Sequence, residues 1–235
     1  MSFQRRAYDM DLGRRDHTRW LGSSGRYSTR LTLPTANLLA AWDARLGVTN
    51  VSGECSAWAD QSGNGYHATQ GTAISRPTIT TADGYASLLF DGTNDSLNIA
   101  SLTAGSGTKT FYAVIKPVAP ASYDAIFQSA SPMIFVGMFG SNFIAFDSAN
   151  RNSGLAHGSA RCRIAYEIQS GAFTAWKNGT ASTPTTWSGS NLAIGGAVSI
   201  SNGGNPLGAH LLFLAIYTAA RNTAVESYIT QEWGV

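Results

Sequence analysis

Residues 161–179 read RCRIAYEIQSGAFTAWKNG, and this stretch decides the fold. Apolar side chains occupy every second position from Cys162 to Ile168, and charged residues stand at most of the positions around them. A period of two is typical of a strand with one buried face. A Ser-Gly and an Asn-Gly dipeptide end the two apolar segments, and such dipeptides form tight turns. The stretch therefore predicts consecutive antiparallel strands.

The same pattern extends outward over most of the chain. Short apolar runs alternate with Gly, Ser, Asn, Asp and Pro, which favours a β-sandwich or barrel over βαβ units. The segment 211–217 is apolar on both faces and predicts either a central strand or one covered by a partner. The runs that we interpret as strands are 38–43, 86–90, 110–116, 125–128, 133–139, 143–146, 161–168, 172–177, 191–194 and 210–217.

The C-terminal segment predicts a helix of about three turns. Thr223 and Glu226 have the spacing of a capping box, in which each side chain bonds the backbone of the other residue. Val225, Tyr228, Ile229 and Trp233 share one helical face, and Gly234 is the expected end.

Charge divides the chain into two parts. Of the 235 residues 43% are hydrophobic and 13% charged, which excludes intrinsic disorder, and no apolar run reaches the length of a membrane helix. Residues 1–30 hold seven Arg and three Asp, a net charge of +4, whereas the rest holds nine basic and eleven acidic residues, a net charge of −2. We predict an extended basic N-terminal anchoring arm over 1–37 and a sandwich over 38–235.

The arm is expected to dock on protein. Its arginines alternate with aspartate and aromatic residues and include no lysine, whereas nucleic-acid arms carry denser charge, so nucleic acid is the disfavoured partner. The residues expected to anchor the arm in an assembly are Arg5, Arg6, Arg14, Arg15, Arg19, Trp20 and Arg26.

Several fragments of the body, in order, resemble the concanavalin A-like lectin/glucanase jelly roll in its laminin G-like form. They include the phrase 58–68 (WADQSGNGYHA), the phrase 90–97 (FDGTNDSL) and the Trp-Gly ending at 233–234. The resemblance implies an all-β antiparallel sandwich with a short C-terminal helix. Among proteins with this fold, the sequence most resembles phage virion proteins, which carry a short anchoring N-terminus and one such domain.

Catalysis is not expected. Glycoside hydrolysis needs two close carboxyl groups, and the glucanases of this fold supply them as E-x-D-x-x-E on one strand. None of the four glutamates, Glu54, Glu167, Glu226 and Glu232, has that context. The four histidines are scattered, and no G-x-S-x-G occurs.

No cofactor is expected either. The cysteine and histidine residues do not have the spacing of zinc ligands. Two cysteines, Cys55 and Cys162, are too few for a disulfide scaffold, although a single disulfide bond between them remains an alternative. Calcium has two weak candidates, Asp91 with Asn94 and Asp95, and Asp60 with Asn64. Such residues more often build turns by bonding their own backbone, and we favour that interpretation.

Sugar binding requires an exposed aromatic plate surrounded by polar groups. Three loops carry candidates, 182–191, 147–151 and 201–205, and Trp187 is the least core-like of the six tryptophans, although a loop anchor packed on the sheet edge is an equal alternative. The candidate glycan-binding residues are Trp187, Asn142, Asp147, Arg151 and Asn202.

Together these patterns predict a non-enzymatic, surface-exposed structural protein of a phage-like virion, assembled in the host cytoplasm without a secretory signal. Its expected partners are other virion proteins through the arm, further copies of itself, and a carbohydrate ligand, with no membrane. The alternative is a carbohydrate-binding lectin-like module, and a glycan hydrolase is the least favoured.

Overall fold

A computed structural model describes residues 20–21, 27–28, 31–100, 102–118, 120, 123–130, 133–146, 149–187 and 192–235. The chain divides into two units, Met1–Thr32 and Leu33–Val235. In the first unit, β1 (Trp20–Leu21) pairs antiparallel with β2 (Tyr27–Ser28). The predicted anchoring residues Arg5, Arg6, Arg14, Arg15, Arg19 and Arg26, and the side chain of Trp20, lie outside the described residues.

The second unit confirms the all-β prediction, with antiparallel strands and one short C-terminal helix. Its elements are β3 Leu38–Asp43, β4 Val48–Val51, β5 Glu54–Trp58, β6 Ala68–Thr69, β7 Thr78–Ala82, β8 Tyr85–Asp91, β9 Leu97–Ile99, β10 Lys109–Pro117, β11 Asp124–Ala130, β12 Met133–Phe139, β13 Asn142–Phe146, β14 Asn150–Ala156, β15 Cys162–Gln169, β16 Ala172–Lys177, β17 Thr180–Ala181, β18 Val198–Ile200, β19 Gly208–Tyr217 and α1 Thr223–Trp233, with a 3-10 turn at Ala73–Ser75.

Strand pairing builds two facing sheets. The helix-covered sheet has the order β17-β16-β15-β10-β19, and β3 and β8 share the far edge of β19, with β7 beside β8. The open sheet has the order β14-β13-β12-β11-β18-β9-β6-β5-β4. The two sheets are joined where Glu54 of β5 pairs with Thr78 of β7.

The main core lies between these sheets. Phe111 of β10 packs on Phe127 of β11, with ring centroids 5.1 Å apart. Tyr166 of β15 packs on Phe143 of β13 at 6.1 Å and donates its hydroxyl to the Gly137 carbonyl oxygen at 2.8 Å. A buried tyrosine needs such a partner, because an unbonded hydroxyl in an apolar core is destabilising.

A second core explains why 211–217 is apolar on both faces. Leu211, Leu214 and Ile216 belong to the core between the sheets, whereas the intervening residues pack beneath α1. The strand is therefore central, and its second face is covered by the chain's own helix. In this layer Trp233 lies against Phe213 at 4.7 Å between ring centroids.

The helix begins differently from the predicted capping box. Asn222 is the N-cap, and its side chain accepts from the Ala224 N–H at 2.9 Å. Glu226 instead forms a two-oxygen ion pair with Arg221, each contact 2.5 Å long, because Arg221 lies at its side just before the helix. Gly234 ends the helix in the left-handed conformation, as predicted.

The polar face of β15 is also covered by the helix. Arg163 is buried, and its guanidinium donates to the Glu226 carbonyl oxygen at 3.1 Å and to the Thr230 hydroxyl. Its Nη2 lies 3.6 Å from the Glu226 carboxylate. Arg163 therefore holds the helix on the sheet.

The prediction that the phrase 58–68 belongs to the fold has a physical basis in Asp60. Its two carboxylate oxygens accept from the Ala41, Ser62 and Tyr66 N–H groups at 2.9 to 3.0 Å and from the Ser62 hydroxyl at 2.7 Å. His67 accepts from the Asp60 N–H at 3.1 Å. These bonds fix the loop against β3.

The remaining differences from the sequence predictions are local. Residues 33–37, assigned to the arm, pack on the sandwich, where the Pro34 carbonyl accepts from the Tyr217 hydroxyl at 2.6 Å. In the segment 191–194, Ile194 forms an isolated bridge with Ala104 rather than part of a strand. In the described part of the chain, no helix is both long and apolar enough to cross a bilayer.

Candidate functional site

The outer face of the open sheet carries an apolar cluster that the core does not absorb. We call it the outer-face cluster; its members are Ala125, Phe135 and Ile144, with Tyr123, Phe139 and Phe146 partly buried against them. Tyr123 anchors the group, with ring centroids 4.4 Å from Phe139 and 6.3 Å from Phe135. No helix of the described residues packs on this face; the three central members are at most 3% exposed, and the three aromatic residues at its margin are partly exposed.

Strand geometry explains how these side chains meet. Alternation sends Phe135 and Phe139 outward while Ile134, Val136 and Met138 enter the core. Gly137 lies between Ala125 and Ile144 in the register, at the centre of the cluster. A Cβ at this position would lie 2.0 Å from the Asp124 carbonyl oxygen, so glycine is required where the register of β11 shifts.

A pocket of about 330 Å³ opens beside the cluster, at the small end of the range for ligand sites. One side is apolar and aromatic and the other carries amides. Its described lining consists of Tyr123, Gln128, Met133, Phe135, Phe146 and Asn205. None of these side chains is charged.

The polar side of the pocket is held by hydrogen bonds. Asn205 donates its amide to Gln128 Oε1 at 3.3 Å, and we call these two residues the amide pair. The Asn205 carbonyl oxygen accepts from the Ala125 N–H at 3.0 Å, which fixes the loop to β11. Opposite them, Asn150 donates to the Tyr123 hydroxyl at 2.7 Å.

Trp187 does not form the exposed plate predicted for it. Its side chain is 2% exposed and belongs to the core between the sheets. Its backbone N–H bonds the Gly171 carbonyl at 3.3 Å, and Thr185 forms a bridge with Phe173. A ring with both faces covered cannot stack on a sugar, so Trp187 has the other predicted role, that of a loop anchor.

None of the other predicted glycan-binding residues that the structure describes lines the pocket. Asn142 lies on the outer face of β13 by alternation with Ile144. Arg151 is in register with Ala145, a core residue, so it projects from the opposite face. Asn202 builds the turn before Asn205 by accepting from the Gly204 N–H at 2.8 Å. Asp147 lies outside the described residues.

Of the three predicted loops, 201–205 lines the pocket through Asn205, and Asn150 of 147–151 contacts the lining residue Tyr123, but sequence reasoning missed the other side chains that line it. The available signal was in β12, whose sequence MIFVGMF is apolar at both alternating sets of positions except for the glycine. β19 is also apolar on both faces, and its second face packs against α1. The second apolar face of β12 instead contributes to the outer-face cluster.

A serine–histidine contact occurs on the helix-covered sheet, at a distance of 3.1 Å between Ser87 Oγ and His210 Nδ1. Burial lowers the pKa of His210, and the nearby Lys116 lowers it further. Ser87 is 1% exposed, so a substrate cannot reach its hydroxyl. Asp83 bonds Lys116 at 2.5 Å. This contact is therefore a structural one.

The oxygen-rich turns weighed as calcium sites are occupied by backbone contacts. Asp91 accepts from the Thr93 N–H at 2.8 Å, and Asp95 accepts from the Asp91 N–H at 3.0 Å. The described residues contain no group of three or more His, Cys, Asp or Glu side chains that would hold a metal ion. Cys55 and Cys162 are both free and buried, and burial raises the pKa of the two thiols, to about 12 and about 11.

Comparison with known proteins finds similar folds but no matching family. No family model and no curated protein matches the chain. Domain 4 of AbnA, an extracellular arabinanase of Geobacillus stearothermophilus solved with arabinotriose, is similar with a TM-score of 0.61 and 15% identity, over 82% of this chain and 98% of that domain. The likeness is one of fold.

Two further solved structures are similar over part of their own length. Trypanosoma rangeli sialidase in complex with sialic acid has a TM-score of 0.58 at 10% identity, and the match covers 93% of this chain and 36% of the sialidase. The receptor-binding domain of botulinum neurotoxin type G has a TM-score of 0.56 at 12% identity, and the match covers 83% of this chain and 52% of the other. The laminin G-like and phage features of the sequence resemblance stay predictions.

Proposed function

We propose that this chain is a carbohydrate-binding β-sandwich module that holds a glycan in the pocket of the open sheet without cleaving it. The observation that carries the proposal is the composition of that pocket. Tyr123 and Phe146 present aromatic surface, and the amide pair lies across from them. A sugar ring has the matching character, with an apolar face of C–H groups and a rim of hydroxyls.

The positions of the glutamates support binding without hydrolysis. Glu226 pairs with Arg221, Glu232 pairs with Arg45 at 2.6 Å, and Glu167 accepts from the Arg221 N–H at 2.6 Å. All three hold the helix or its approach on the sheet opposite the pocket. The described lining of the pocket offers no carboxyl pair for acid–base chemistry.

Similar folds agree with this proposal to a limited extent. The arabinanase domain was solved with a bound arabinotriose, and the chain spans nearly the whole of that domain. At 15% identity the likeness supports a shared architecture and leaves the ligand to be argued from the pocket itself.

The test is glycan-array screening of the full chain, followed by calorimetric titration of each glycan bound. Phe146→Ala removes one aromatic wall of the pocket and is expected to weaken binding about tenfold, which corresponds to ~1.4 kcal/mol of lost stacking and burial. Ile74→Ala is the matched control, because Ile74 is a 77% exposed apolar side chain outside the pocket. Equal loss in both variants, or no glycan bound at all, would contradict the proposal.

The virion role stays a separate prediction. It depends on the basic arm, whose anchoring residues lie outside the described part of the chain. A carbohydrate-binding module is compatible with it, because an adhesive component of a particle also needs a ligand pocket.

A further inference from the structure

We infer that the pocket selects uncharged sugars and rejects sugars that bear a carboxylate, with the amide pair as the selecting group. This inference rests on the proposed function and goes further by naming the chemical class of the ligand. It begins from the hydrogen-bonding capacity that the amide pair has left over.

The hydrogen bond between Gln128 and Asn205 uses only part of the hydrogen-bonding capacity of the two side-chain amides. Gln128 Oε1 accepts from Asn205 Nδ2, which leaves Gln128 Nε2 as a donor and Asn205 Oδ1 as an acceptor without a partner among the described residues. Exchanging the oxygen and nitrogen of both amides leaves the same combination, one carbonyl and one NH₂ group. The pair therefore offers a donor and an acceptor side by side in either assignment.

A hydroxyl is complementary to that combination, because it accepts one hydrogen bond and donates another. It can accept from Gln128 Nε2 and donate to Asn205 Oδ1 at the same time. A carboxylate only accepts, so it would bond Gln128 and place a negative oxygen against the carbonyl dipole of Asn205. A buried acceptor left facing another acceptor costs binding free energy.

The surroundings of the pocket also disfavour an anion. A bound carboxylate must lose water, and a nearby cation usually compensates for that loss. The described lining carries no cation. Arg151, the basic residue nearest in the strand register, projects from the opposite face of β14.

The first experiment compares neutral with acidic ligands on the full-length chain. The probes are an array of neutral and acidic oligosaccharides that includes lactose with sialyllactose, and an oligogalacturonate in its free-acid and methyl-ester forms. Every glycan that binds is expected to be neutral, and the neutral member of any recognised pair to bind at least about tenfold more tightly. Preferential binding of the acidic members would overturn the selectivity while upholding the proposed function. Silence across the whole array would overturn both.

The second experiment tests whether the amide pair takes part in recognition of the neutral ligand. Gln128→Glu keeps the oxygen that accepts from Asn205 and removes the neighbouring donor, so affinity for a neutral ligand is expected to fall about tenfold. Asn98→Asp is the matched control: it makes the same amide-to-acid change at an exposed position of the open sheet, outside the pocket lining, and should change affinity less than about twofold. Thermal unfolding checks that both variants fold. Unchanged affinity in Gln128→Glu would remove the amide pair from recognition.

Discussion

Asp95 shows how a single turn residue couples this fold to pH. Its side chain lies in the turn before β9 and is almost fully buried, with its carboxylate accepting from the Asp91 N–H. Burial raises the pKa of Asp95 to about 6, and the charges of Asp91 and Glu54 add to the rise, while the hydrogen bond opposes it. The folded protein therefore retains a proton that the unfolded chain, with an ordinary carboxyl, releases between about pH 4 and 6.

The sign of the effect follows from proton linkage. Between about pH 4 and 6 the native state binds more protons at Asp95, so its contribution to the unfolding free energy falls as pH rises. As pH rises over this interval, the unfolding free energy of Asp95→Asn is expected to increase relative to that of the wild type by an amount on the order of 2 kcal/mol. Above pH 7 the difference between the two proteins should stay constant. Urea unfolding of both proteins at pH 4, 5, 6 and 7 measures it. A gap independent of pH would refute the assignment.

At this scale the sequence predicts turns better than binding residues. Asp60 and Asp91 were interpreted as turn builders, and their hydrogen bonds agree, because Asx turns depend on immediate neighbours. Trp187 and Phe146 show the limit. Both are aromatic residues near turn-forming sequence. Trp187, flanked by polar residues, is buried, whereas Phe146, which ends an apolar run, is only partly buried. Exposure depends on what packs over a residue, and that partner is distant in sequence.

Helix α1 illustrates the same difference for an element. The sequence places its start and end within a residue, because capping residues and apolar spacing are local signals. The identity of the cap was wrong, since Asn222 and Thr223 are adjacent and both suit the position. Tertiary contacts decide which residue is the cap. The Tyr112 hydroxyl accepts from the Asn222 N–H at 2.6 Å, and Glu226 pairs with Arg221 instead of bonding the helix N-terminus.

The cap can be tested with two neighbouring substitutions. Asn222→Ala removes the side-chain oxygen that bonds the Ala224 N–H and is expected to lower the unfolding free energy by about 1 kcal/mol. Thr223→Ala, the change that a capping box would make costly, should lower it by less than about 0.5 kcal/mol. Both residues are exposed, so packing contributes little to either value. Chemical denaturation measures the difference, and the reverse order would restore Thr223 as the cap.

Strands were predicted closely where alternation or a continuous apolar run was bounded by turns. The expected segments 38–43, 133–139 and 172–177 agree with β3, β12 and β16 to the residue. The pairing and register of the strands could not be predicted from the sequence, because the partner of a strand is set by contacts that are distant in the chain. The bulge that separates Ala125 from Phe127, for example, turns both Ile126 and Phe127 inward and returns Gln128 to the outer face, where it enters the pocket.

For the whole molecule, composition and turn spacing predict the fold class, but not which sheet stays open. That outcome depends on α1, which covers one sheet and leaves the other without a helix among the described residues. The pocket could be located only after the order of strands was known, because its walls come from three separate parts of the chain, near residues 123–135, 146 and 205.

The division at Thr32 makes a prediction about the whole chain. Deletion of residues 1–32 is expected to leave a sandwich that unfolds cooperatively and binds the same glycan, since the three hydrophobic clusters described belong to residues 33–235. Its melting temperature should shift by less than about 4 °C, equivalent to roughly 1 kcal/mol at this size. If the arm is an anchor, the truncated protein should also fail to co-sediment with its assembly. Normal incorporation of the truncated protein would refute the anchoring role.

Gly137 has a consequence for how this protein can change over generations. Since an added methyl group would collide with the Asp124 backbone, the centre of the outer face is closed to most mutations. Part of the pocket lining forms a rim at strand ends and in a loop, where substitutions leave the ladder intact, and its members are Tyr123, Met133, Phe146 and Asn205. New ligand preferences can therefore arise by changing the rim alone, which gives the molecule a wide evolutionary range at little risk to its architecture.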